Sequence, residues 1–154
     1  MENNIKEMNP ILADFCGILE SRGVSYELNE HDENMMRFRT KLPHHDTAPY
    51  VLIHYNPKNY ALSLALSRIA IFTSVGPDLY QIVNDFNADP SNFGCKMFID
   101  KDGQIIVLTN SILRDEKKSD LVEEYLNICV LALDKYLGRI LELTDKETDN
   151  SNKN

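Results

Sequence analysis

Residues 77–113, PDLYQIVNDFNADPSNFGCKMFIDKDGQIIVLTNSIL, decide the fold class, because within them the hydrophobic period changes from that of a helix to that of a strand. Gly76 and Pro77 open a helix with Leu79, Ile82, Val83 and Phe86 on one face, since proline in the first turn gives up only an amide that has no intrahelical partner. The pattern stops near Asn87, and the loop DPSNFG leads into two strands, Lys96 to Ile99 and Gln104 to Leu113. Asp102 and Gly103 between these strands predict a tight hairpin in which both turn positions accept positive φ. A helix feeding an antiparallel hairpin points to an α+β chain.

Upstream, Asn9 and Pro10 start a helix that runs to about Arg22, with Ile11, Leu12, Phe15, Ile18 and Leu19 inward and Gly23 as its terminator. Tyr26 and Leu28 then alternate with Ser25 and Glu27, the polar cluster Asn29 to Asn34 turns the chain, and Met36 and Phe38 alternate with Arg37, Arg39 and Lys41. Tyr50 to Tyr55 is apolar on both parities, which predicts a strand that is central or covered on both sides. Leu62, Leu64 and Leu66 alternate with small residues, and β-branched Ile69, Ile71 and Thr73 extend that strand; a parity shift predicts a bulge near Ser67 and Arg68. Downstream, Asp120 with Glu123 has the spacing of a capping box and begins a last helix to about Leu143. The chain reads as one α+β domain over residues 1–143, followed by a polar tail, 144–154, that is expected to be disordered.

The 154 residues carry 24 Asp and Glu against 16 Lys and Arg, a net charge of −8, which disfavours general binding to nucleic acid or to a membrane surface. The N-terminus lacks the pattern of a secretory signal, and the longest apolar run, Tyr60 to Phe72, is interrupted by Ser63, Ser67 and Arg68. A cytoplasmic protein is expected. Cys16, Cys95 and Cys129 are read as reduced thiols, two of them on core helix faces.

The glycines, at 17, 23, 76, 94, 103 and 138, fit no dinucleotide fingerprint, P-loop or nucleophile elbow. A calcium loop starting at Asp100 would place Ile105 at the turn glycine and Ser111 at the bidentate glutamate. His44, His45 and Asp46 in one loop, with His31 and His54 elsewhere, are the richest ligand set and define a minor alternative, a metal-dependent enzyme. Adjacent residues on an extended loop point apart, so a solvated loop and no cofactor are the expectation.

Two features suggest recognition. Arg37, Arg39 and Lys41, spaced by two, aim a basic stripe to one side of a strand, suited to an acidic peptide; the plainer alternative is a solvent face paired with Glu27. In the last helix, Val130 and Leu131 lie outside the main apolar stripe and suggest a dimer contact, or else a helix sunk between two layers.

The element order, with the hairpin YELNEHDENMMRFRT, the helix and hairpin LYQIVNDFNADPSNFGCKMFIDKDGQIIVLTNSIL and the closing LALDKYLGRIL, resembles the YbjN-like family, described as bacterial sensory-transduction regulators. That family has a fold like that of class I type III secretion chaperones. Phe86-Asn87, Gly94, Phe98 and Asp102-Gly103 fill its recurring positions. The resemblance implies a sheet with helices on one face, homodimerisation, and a non-enzymatic protein-binding or regulatory role without catalytic residues. The alternative it opens is a secretion chaperone that holds an extended partner segment.

Overall fold

The computed structural model describes residues 8–114 and 118–151. The elements run α1 (Pro10–Ser21), β1 (Tyr26–Leu28), β2 (Met35–Arg39), β3 (Tyr50–Asn56), β4 (Ala61–Ser67), α2 (Pro77–Ala88), β5 (Lys96–Ile99), β6 (Ile105–Ile112) and α3 (Lys118–Ser151), with a 3-10 turn at Pro90–Asn92. The six strands form one antiparallel sheet in the order β1-β2-β3-β4-β6-β5. This is the α+β architecture that the change of period at residues 77–113 predicts.

Alternation decides which face is covered. Met36, Phe38, Val51, Ile53, Tyr55, Leu62, Leu64, Leu66, Ile105 and Val107 all point inward and are buried, and the helices meet them with Leu12, Phe15, Phe86, Leu133 and Leu137. The helices pack against one another over this face, α1 and α2 both touching α3. The other face stays open, so Leu52, Phe98 and Ile112 are exposed. β3 is central, the first of the two expected placements, and it is covered on one side: among the described residues no helix crosses the other face, and Leu52 looks out there.

Three boundaries differ from the sequence pattern, each for a local reason. β4 ends at Ser67, because Arg68 adopts φ 54° and turns the chain; beyond it only an isolated bridge, Ile71 to Gln104, rejoins the sheet. The expected bulge is therefore a break. The β5–β6 turn has one positive φ, at Gly103 (79°), while the Asp100 carboxylate accepts from the amides of Asp102 and Gln104, each at 2.9 Å. Gly103 is needed for space as well, since a Cβ there would lie 2.1 Å from the Phe72 carbonyl oxygen. Finally, α3 starts at Lys118, ahead of Asp120, and continues through residues 144–151, past the expected end at Leu143. Glu147 helps to hold this last part, accepting from Thr73 Oγ1 at 2.6 Å and the Ser74 amide at 2.8 Å, a side-chain anchor that apolar periodicity does not register. No helix among the described residues is long and apolar enough to cross a membrane.

Candidate partner-binding edge and face

A sheet of this order has two edges, and the molecule treats them differently. At β1 the Asn29 amide donates to the Met35 carbonyl at 3.1 Å, so the hydrogen-bonded pairs are 29 with 35 and 27 with 37. Antiparallel alternation then turns the backbone groups of Tyr26 and Leu28 away from the sheet, where no hydrogen bond among the described residues takes them. β1 is held from behind, where the Tyr26 hydroxyl donates to Glu20 of α1 at 2.5 Å. That hydrogen bond first, and burial second, push the phenol well above its ordinary range. Leu28 remains 46% exposed beside a groove of about 330 Å³ lined by Glu27, Leu28, His31, Met35, Arg37 and Leu52.

At β5 the outward backbone groups of Met97 are occupied. The Asn87 carboxamide of α2 donates to the Met97 carbonyl at 2.9 Å and accepts from the Met97 amide at 2.8 Å, taking the place of a neighbouring strand. Lys96 Nζ reaches back to the Asn87 carbonyl at 2.9 Å. At Met97 this edge is covered in the way natural sheets suppress unwanted pairing.

Next to the β1 groove, on the open face, lies a cation cluster. Arg37 and Arg39 of β2 and Arg68 from the end of β4 surround the Tyr50 ring, with guanidinium carbons 5.8, 4.6 and 4.8 Å from its centre. Arg37 pairs with Glu27 at 2.6 Å, an exposed pair of small energetic weight. Among the described residues no carboxylate pairs with Arg39 or Arg68. The stripe expected from the sequence is thus corrected in its third member. Lys41 lies past the end of β2, on a loop groove with His44 and His45, and Arg68 takes its place.

The remaining sequence candidates fall elsewhere. Val130 is 8% exposed and packed in the core, while Leu131 is 60% exposed on α3. On the Val130 side of the helix, Asp134 is covered by the histidine loop: its carboxylate accepts from the His44 amide at 3.0 Å and meets His44 Nδ1 at 2.6 Å. Burial opposes the Asp134 charge, but the His44 side-chain and backbone hydrogen bonds outweigh it and hold the carboxyl below its usual range. His54 faces Asp32 at 3.4 Å, away from this pair. Among the described residues no group of three His, Cys, Asp or Glu side chains is placed to hold a metal ion.

No family model matches the chain, so the YbjN-like resemblance stands without one, and no curated protein matches it in sequence. Solved structures do. A chain of the ExsC-ExsE complex superposes with TM-score 0.54 at 13% identity, covering 84% of this chain and 97% of that one. A chain of the heterodimeric ExoU-SpcU complex from the type III secretion system of Pseudomonas aeruginosa gives TM-score 0.50 at 10% identity, covering 79% and 93%. The fold is type III secretion chaperone-like.

Within this chaperone-like fold, sequence reasoning found Arg37 and Arg39 from their alternation but missed Arg68, which is distant in the chain. Its only signal was the parity shift at Ser67 and Arg68. It also missed Asn87 as an edge cap, because a carboxamide that mimics a strand leaves no periodic trace.

Proposed function

We propose that this chain is a non-enzymatic chaperone that holds an extended segment of a protein partner, adding it to β1 and laying acidic side chains of the segment on the arginine cluster. The observation that carries this reading is the contrast of edges: the outward backbone groups of Met97 are capped, whereas those of Tyr26 and Leu28 are presented beside an exposed leucine and a groove. Strand addition draws affinity from main-chain hydrogen bonds and selectivity from alternate side-chain pockets, both of which this edge offers.

Charge selects the partner chemistry. Arg39 and Arg68 carry full charges with no carboxylate partner among the described residues, and Arg68 reaches Tyr50 from a left-handed backbone position that costs about 1–2 kcal/mol for a residue with a Cβ. A carboxylate-bearing segment satisfies these groups, while the net charge of −8 repels a polyanion at long range. Both comparison structures are complexes, which favours the chaperone reading over the YbjN-like regulator. Pairing of two copies belongs to the same reading, with exposed Leu131 as its α3 contact; Val130, committed to the core, takes no part.

The test uses a partner purified with the chain from its own source. Changing Arg37, Arg39 and Arg68 together to serine is expected to weaken binding at least tenfold and flatten its salt dependence, with folding retained, while Lys41→Ser leaves binding unchanged. Full retention of the partner by the triple variant, or tight salt-sensitive binding of the native chain to generic DNA or RNA, overturns the reading. Sedimentation equilibrium tests the pairing: a monomer at tens of micromolar, on the order of concentrations that populate a standard-size interface, contradicts it.

A further inference from the structure

The sulfur atoms of the chain fall into two groups. Cys16 Sγ lies 3.8 Å from Met8 Sδ and 3.9 Å from Met36 Sδ, ordinary contacts of a core thiol. Cys95 Sγ and Cys129 Sγ are 3.0 Å apart, within about 1 Å of the ~2.05 Å disulfide bond length. The two residues come from different elements, Cys95 from the short connection between the Pro90–Asn92 turn and β5, Cys129 from the middle of α3.

We propose that Cys95 and Cys129 are a modification site, a thiol pair that a small disulfide of the glutathione type converts into an intramolecular disulfide joining the connection before β5 to α3. This site is independent of the β1 edge and of the partner reading.

The two thiols are unequal. Cys95 is held below its ordinary range, chiefly by the hydrogen bond from Cys129 and, against the opposing effect of burial, by the Thr109 hydroxyl and the Lys96 charge. Cys129 is pushed up, first by that same hydrogen bond and then by burial. Cys95, on a short connection beside exposed Phe93 while Cys129 sits in the middle of α3, is the sulfur that local opening presents, and it attacks as its thiolate. Its sulfur attacks one sulfur of the small disulfide, whose S–S bond breaks, and one small thiol leaves with a proton from solvent. Cys129 then loses its proton to solvent and its sulfur attacks Cys95, releasing the second small thiol. Two protein thiols and one small disulfide become one protein disulfide and two small thiols.

Both cysteines are buried, so the reaction is gated by local opening of the segment that carries Cys95. That segment is short. Asn92 anchors it through its side chain to the Phe86 carbonyl at 2.8 Å and through its own carbonyl to the Cys95 amide at 3.0 Å. Phe93, between them, is 73% exposed in a left-handed conformation, φ 52°. Closing a loop between residues 34 apart removes freedom from the unfolded chain, so the linked form should melt higher by on the order of 5–10 °C.

The experiment treats the full chain with excess oxidised glutathione near pH 8 for a day, then measures intact mass, alkylation of remaining thiols and tryptic peptides. The expected result is loss of two hydrogens, a peptide linking Cys95 to Cys129, free Cys16, a raised Tm and full reversal by dithiothreitol. Cys16→Ser should behave like the native chain, whereas Cys129→Ser should carry at most one glutathione, on Cys95. A native chain that keeps all its thiols alkylatable, a linkage that involves Cys16, or a linked form that melts below the reduced one overturns the proposal.

Discussion

The two edges of this sheet are built from the same backbone chemistry and end in opposite states. At β5 a single asparagine from α2 satisfies the amide and the carbonyl of Met97, so the ladder stops against a side chain. At β1 the corresponding outward groups of Tyr26 and Leu28 have no partner among the described residues, and α1 supports the strand from behind, through Glu20. An edge left open is a liability in a free protein and a template for a partner strand. The contrast teaches that openness here is local: the same fold closes one edge and leaves the other open beside an arginine cluster.

Substitutions on the closed side should act on stability, and substitutions on the open side on binding. The largest effect is expected at Gly103, where a valine must take a left-handed conformation and place its Cβ against the Phe72 carbonyl. Gly103→Val should cost about 3 kcal/mol or more and lower the thermal midpoint by roughly 10 °C. A midpoint within a degree or two of the native value would show that the 100–104 turn is built differently.

Asn87→Ala should come next. It strips both partners from the outward groups of Met97 and should cost about 1–3 kcal/mol in denaturant unfolding. It should also give the β5 edge the openness of β1, seen as faster exchange of the Met97 amide. No change in either measurement would mean that the carboxamide does not close this edge.

Leu28→Pro sharpens the comparison from the other side. The Leu28 amide points outward, so proline removes no ladder bond, and stability should stay within about 1 kcal/mol while partner binding is lost. A large loss of stability would show that this amide bonds within the sheet.

The smallest effect concerns pH. Because the His44 hydrogen bonds lower the Asp134 carboxyl in the folded chain, its contribution is present above the ordinary carboxylate pKa of about 4 and is lost as the pH falls through the lower folded value. Asp134→Asn should therefore flatten the loss of stability on acidification below about pH 4, measured by chemical denaturation at a series of pH values. An identical acid limb in the variant would rule out this linkage.

The fold was largely legible because its determinants are local. Pro10 and Pro77 at helix starts, the parity of Met36 and Phe38, and the 96–113 hairpin each speak within a few residues. What escaped depends on pairs distant in sequence. The pattern of Tyr50 to Tyr55 left two placements open, because a central strand and a doubly buried one share an apolar pattern, and only the placement of the helices separates them. Val130 looked surplus to the α3 stripe because nothing near it in the chain announces that the histidine loop covers Asp134 one turn on. The candidate site was half legible: alternation exposes Arg37 and Arg39, but extending it to Lys41 assumed a strand two residues too long, and Arg68 arrives across β3.

The central claim, that β1 is the edge a partner strand joins, is tested most directly by residue-resolved amide hydrogen exchange on the free chain and on its complex with the co-purified partner. In the free chain the Tyr26 and Leu28 amides should exchange fast while Glu27 and Met97 are protected. Binding should slow Tyr26 and Leu28 by at least tenfold and leave Met97 unchanged. Protection of Tyr26 and Leu28 in the free chain, or their continued fast exchange in the complex, would contradict it.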